Sequence, residues 1–150
     1  MNIRTVTSAD RSEWLRLLLA LYPDTTDADH VPAIDAYFKG ESTGELLPAV
    51  VFVADRGDGR LGGVLELSVR DYAEGCTGRT PYVESWYVDA DLRGKGVGRA
   101  LIAAAEQWAR DRQFSELASD TPLDNDLSCA AHRALGFEEV ERVIHFRKPL

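Results

Sequence analysis

Three carboxylates stand inside otherwise apolar, β-branched stretches: Glu66 in VLELSV, Glu84 in YVESWYV, and Asp120 at the end of ELASD. A lone acid in such a setting is costly unless it is paired, turned to solvent or put to chemical use. Put to use, it accepts a proton or holds a cation. Between the last two lies DLRGKGVGRALI (91–102), in which Gly94, Gly96 and Gly98 alternate with Arg93, Lys95 and Val97, and Arg99 follows. Glycines at a strand-to-helix junction let the backbone approach an anion closely. The first amides of the helix, its dipole and the neighbouring basic side chains then bind that anion. The G-x-G-x-G spacing matches neither G-x-G-x-x-G nor G-x-x-x-x-G-K-[ST], and a basic turn without a ligand has the same composition.

The elements that must position these groups follow from periodicity. NIRTVT (2–7) reads as a strand, and TSAD (7–10) as a capped helix start before Trp14, Leu15, Leu17, Leu18 and Leu21 at helical spacing. Tyr22-Pro23-Asp24 ends that helix. The acidic DTTDADH (24–30) reads as loop, with a short helix around Ile34 to Phe38. PAVVFVA (48–54) is a strand covered on both faces, and the turn DRGDGR (55–60) folds LGGVLELSV (61–69) back antiparallel to it. YVESWYV (82–88) is the next strand. A helix then runs from Val97 to about Arg112 with the stripe Val97, Leu101, Ala104, Trp108. SELAS (115–119) is a short strand, DNDLSCAAHRAL (124–135) a helix closed by Gly136, and VERVIHFRK (140–148) a last strand. The order predicts one mixed α/β domain over 1–150, with helices on both faces of a central sheet.

Composition excludes several classes. A net charge of −8 over 150 residues disfavours nucleic acid and attracts cationic partners. No apolar run spans a bilayer, and no basic-then-apolar leader opens the sequence, so a cytoplasmic protein without membrane partners is expected. Cys76 and Cys129 make neither a disulfide framework nor a metal cluster, and no metal is expected.

Two stretches carry a family resemblance. Arg93-Gly94-Lys95-Gly96-Val97-Gly98 resembles the R/Q-x-x-G-x-G/A acetyl-CoA loop of the GCN5-related N-acetyltransferase (GNAT) superfamily. Asn125 through Ala130, His132, Gly136 and Phe137 resemble that family's Asn-x-x-Ala-x-x-x-Tyr-x-x-x-Gly-Phe segment, in the family's order and separation. The resemblance implies a mostly antiparallel central sheet with a splayed parallel pair. It implies acetyl-CoA held by Arg93 through Arg99 and by Asn125, with an oxyanion donor at the backbone of Tyr87 or Val88. His132 stands where the family often has a tyrosine that protonates the departing thiolate. A histidine there either does that work or packs on the cofactor.

Within the family, LYPD, VLELSVRDY, VESWYVDADLRGKGVG and EVERVIHFRK are similar to bacterial aminoglycoside 6'-N-acetyltransferases, in which a Trp commonly occupies the position of Tyr22. That resemblance implies direct attack of an amine on the thioester, with Asp120 as the acid nearest the amine and its base. It implies Glu84 as ammonium ligand or relay, and Glu141 as a further ammonium contact reached across a homodimer. Asp24, Asp27, Glu66, Tyr22 and Tyr72 complete the expected substrate contacts. An acetyltransferase of another cationic amine, or an acetyl-CoA-binding module without turnover, are the alternatives.

Overall fold

The computed structural model describes residues 1–41 and 47–150. Five strands, β1 (Asn2–Thr5), β2 (Val50–Asp55), β3 (Leu61–Arg70), β4 (Thr80–Val88) and β5 (Ala118–Ser119), form one sheet in that order. The first four pair antiparallel, whereas β4 and β5 run parallel and meet only at Tyr82–Ala118 and Val83–Ser119. Beyond Val83 the two strands part, as the splayed pair requires.

Helices α1 (Arg11–Leu21) and α2 (Asp27–Lys39) cover one face, and α3 (Val97–Asp111) and α4 (Asp126–Ala134) belong to the other side. Trp14, Leu17, Leu18 and Ile34 pack on Val51, Val53 and Val64 in one core, and Leu101, Ile102 and Ala105 pack on Phe52, Leu65 and Val83 in the other. The successive β-branched residues of β2 thus feed both layers, as a doubly covered strand must. Leu101 and Val97 of the expected stripe are buried. The buried face continues through Ile102, Ala105 and Ala109, with Ala104 and Trp108 at its margin.

At the start of α1, the Thr7 amide and hydroxyl both donate to Asp10 at 2.8 Å, and Arg4 clamps the same carboxylate at 2.7 and 2.9 Å. No helix is long and apolar enough to cross a membrane among the described residues.

Two expectations are corrected. The acidic stretch 24–30 is not all loop: α2 begins at Asp27, because the Thr26 amide and hydroxyl donate to Asp29 and cap the helix, even though Pro32 removes one hydrogen bond inside it. The last strand is absent, because 137–150 form no helix or strand. β5 is two residues long and presents no extended edge for them. Val140 passes against Gly75, where an added Cβ would meet it at 2.7 Å. Val143, Ile144 and Phe146 remain exposed, the last at 92%.

Candidate active site

The parting of β4 from β5 opens a cleft of about 630 Å³ lined by Tyr22 and Pro23, residues 83–88 of β4, residues 119–122, and Asn125 and His132 beside α4. A second depression of about 670 Å³ near Tyr37 and Pro48 has, among the described residues, a single carboxylate, Glu41, and no basic group.

At one end of the cleft lies the glycine loop. Gly94 (φ 72°) and Gly96 (φ 83°) adopt the left-handed conformation that other residues disfavour, and a Cβ at either would meet nothing within 4 Å. Gly96 starts α3. No side chain caps that helix, and no acid stands in its first turn. Its leading amides therefore face outward with the positive end of the dipole and with Arg93, Lys95 and Arg99, all exposed. Gly98 serves a different purpose from the other two. An added Cβ there would lie 3.2 Å from the Trp86 indole, so its missing side chain makes room for Trp86. Asp89 anchors the approach, held by Arg16 and Arg56 at 3.1 Å.

The strand register distinguishes the two backbone candidates, Tyr87 and Val88. The Asp89 amide donates to the Gly62 carbonyl at 2.9 Å, and Gly63 pairs with Val88, Val64 with Tyr87. Antiparallel alternation then commits the Tyr87 amide to Val64 and turns the backbone groups of Trp86 and Val88 away from β3, into the gap that β5 leaves. Arg93 Nε reaches the outward Val88 carbonyl at 3.0 Å and lies over the Tyr87 ring. Of the two backbone candidates, only Val88 keeps its N–H free for the cleft.

A β-bulge orders the acids. Glu66 pairs with Ser85 but Leu67 pairs with Val83, which makes Glu84 the extra residue and turns both Glu84 and Ser85 toward the α1 side of the sheet. Glu84 is locked there by Arg70, bidentate at 2.8 and 2.7 Å, with the Ser68 hydroxyl donating at 2.5 Å. Arg70 also lies 3.6 Å over the Tyr82 ring. The Tyr82 hydroxyl donates to Asp120 at 2.6 Å, and loss of water followed by the Asp120 charge raises its pKa well above the ordinary phenol value. Asp120 itself is exposed at the cleft.

Glu66 departs from its expected place. It does not line the cleft but stands behind Ser85, receiving the Trp14 indole N–H and the Ser85 hydroxyl, both at 2.9 Å. Loss of water raises its carboxyl above the usual range, the like charge of Glu84 adds to the rise, and the two hydrogen bonds oppose it.

On the α4 side, Asn125 Oδ1 accepts the Ser128 amide as helix cap, and His132 sits edge-on to Trp86 and Phe137. The Ser128 carbonyl, 2.7 Å from Nδ1, can only accept, so the neutral ring carries its proton on Nδ1 and takes the Ser119 hydroxyl at Nε2, also at 2.7 Å.

Tyr22 lines the cleft as expected. Asp24 and Asp27 do not, and neither do Tyr72, which is 69% exposed with its hydroxyl on Glu74, and Glu141 in the tail. They are corrected to positions outside this cleft within a single chain: α2 begins at Asp27, Tyr72 follows the end of β3 at Arg70, and the tail forms no strand. Arg70, Ser85 and Ser119, and the part that the Trp86 side chain plays, were not anticipated. Only the placement of Ser85 beside Glu84, and of Ser119 beside Asp120, hinted at two of them. Among the described residues no group of three or more His, Cys, Asp or Glu could hold a metal.

The sequence profile of the acetyltransferase (GNAT) family matches residues 12–137. The chain is 44% identical to an aminoglycoside N(6')-acetyltransferase type 1 of Klebsiella aerogenes, covering 99% of this chain and 96% of that one, and 43% identical to one of Stenotrophomonas maltophilia, covering 99% and 94%. Among solved structures, it superposes on the ligand-free aminoglycoside 6'-N-acetyltransferase AAC(6')-Ig of Acinetobacter haemolyticus with a TM-score of 0.86 at 34% identity, covering 100% and 99%. It also superposes on AAC(6')-Iy in complex with the bisubstrate analogue CoA-S-monomethyl-acetylneamine, with a TM-score of 0.85 at 32% identity, covering 99% and 98%.

Proposed function

The chain belongs to the acetyltransferase (GNAT) family, and from that premise we propose that it transfers the acetyl group of acetyl-CoA to the 6'-amine of an aminoglycoside. The observation that carries this reading is the cleft itself, with uncapped helix amides at one end and carboxylates at the other. Gly94 and Gly96 leave the backbone open to a diphosphate, and Arg93, Lys95, Arg99 and the Asn125 side-chain amide surround it. The strand edge at Trp86 and Val88 receives the pantetheine, and the Val88 amide faces the developing oxyanion. Asp120 holds the reacting ammonium and takes a proton from it. Glu84, neutralised by Arg70, fixes Tyr82 and Arg70 around Asp120 rather than binding substrate alone. With Nε2 also protonated, His132 passes that proton to Ser119 Oγ while the Ser119 hydroxyl proton goes to the thiolate, which returns the ring to its neutral Nδ1–H form.

The acceptor is cationic because Asp120 stands exposed in the cleft as a carboxylate without a salt bridge among the described residues, and the net charge of −8 favours cations. Such activity confers resistance to the antibiotic. The enzyme works as a cytoplasmic homodimer, in which the apolar tail finds in a second copy the cover it lacks here and brings Glu141 to the neighbouring cleft. The chemistry calls for no metal. Thiol release from acetyl-CoA, measured with kanamycin, spermidine and a basic peptide, tests the reading. Turnover with kanamycin well above the others is expected, and preference for either alternative overturns it.

A further inference from the structure

The nitrogen enters as an ammonium with three hydrogens and leaves as an amide with one, so the amine side of the cleft must dispose of two protons. Asp120 accounts for one. We propose that Glu66 takes the other, through a relay of two hydroxyls, Tyr22 and Ser85. This assignment rests on the amine-acetylation reading above.

The relay is continuous. Tyr22 lines the cleft, its hydroxyl is 2.9 Å from Ser85 Oγ, and Ser85 Oγ donates to Glu66 Oε2 at 2.9 Å. The bulge at Glu84 is what turns Ser85 onto this face, since unbroken alternation would point it into the opposite core. The Tyr22 ring is held in place by stacking on His30, whose Nε2 bonds Thr25 at 2.7 Å. At the far end, the Trp14 indole fixes the second oxygen of Glu66.

In the step, the ammonium passes a proton to Tyr22 Oη while the Tyr22 proton moves to Ser85 Oγ and the Ser85 proton to Glu66 Oε2. The products are a neutral amine and a neutral carboxylic acid, and the proton returns to solvent along the same path once the acetylated product leaves. The titratable and charged groups near Glu66 are Glu84 on β4, paired with Arg70 on β3, and the phenols of Tyr22 and of Tyr37 on α2. The upward shift of Glu66 brings it closer to the pH at which it must accept a proton. A Trp at position 22 would have no oxygen to accept a proton, so the relay requires Tyr22.

The test is the pH profile of kcat/KM in wild type, Glu66→Gln, Ser85→Ala, Ser85→Thr and Tyr22→Trp, measured with kanamycin and again with spermidine. Loss of the relay is expected to lower kcat about tenfold or more, leave KM for acetyl-CoA unchanged, and remove the acid limb that Glu66 contributes. Ser85→Thr should retain wild-type behaviour. The Glu66→Gln/Ser85→Ala double variant should be no worse than either single one. Additive losses, or an unchanged acid limb in the folded Glu66→Gln protein, overturn the relay. Turnover with spermidine but not kanamycin, with the relay behaviour intact, overturns the aminoglycoside assignment and upholds the relay.

Discussion

At the scale of residues, the three acids that stand out in apolar strands have three different fates. Asp120 is open to the cleft, Glu84 is clamped by Arg70, and Glu66 sits behind Ser85. Identity and strand placement mark all three as unusual, but they do not say which one a substrate meets. That depends on the bulge and on Arg70, whose partner lies on a neighbouring strand. Asp120→Asn keeps the shape and the Tyr82 contact while removing the charge. Its kcat is expected to fall about 100-fold, with acetyl-CoA affinity by calorimetry unchanged. Wild-type turnover in that variant removes Asp120 from the base role.

At the scale of elements, most of the architecture was legible because its signals are local. The Thr7–Asp10 box, the β-branched run of β2 and the apolar stripe of α3 depend on neighbours within a turn or a strand. The early start of α2 was hidden because Thr26 and Asp29 sit in a run of acids that reads as a solvated loop. The last strand failed for the opposite reason, since VERVIHFRK has strand composition but pairing needs a partner strand, and β5, two residues long, offers no extended one. The glycine turn that opens α3 was legible in the sequence, but Gly98 differs from Gly94 and Gly96, because it accommodates Trp86. Gly96→Val places a β-branched residue at φ 83°, a strain of roughly 1–2 kcal/mol. Relief of that strain turns away the amides that open α3. Acetyl-CoA affinity measured by calorimetry should fall about tenfold or more, with the aminoglycoside affinity little changed. Unaltered acetyl-CoA binding contradicts the loop's assignment.

At the scale of the whole molecule, a surplus of acid and a splayed sheet make one device, in which the field gathers cationic amines and the gap between β4 and β5 brings them against the thioester. The tail carries a cluster of uncovered apolar side chains, with Val143, Ile144 and Phe146 exposed. A chain ending at Phe137 should sediment as a monomer while the full chain sediments as a dimer, and its KM for kanamycin should rise as Glu141 is lost. A truncated chain that still dimerises places the interface elsewhere. The central claim, that the cleft aims acetyl at one amine of an aminoglycoside, is tested most directly by mass and NMR analysis of the product formed from kanamycin and acetyl-CoA. The account predicts a single acetyl group, on the 6'-nitrogen; acetylation at another amine, or recovery of unmodified kanamycin, contradicts it.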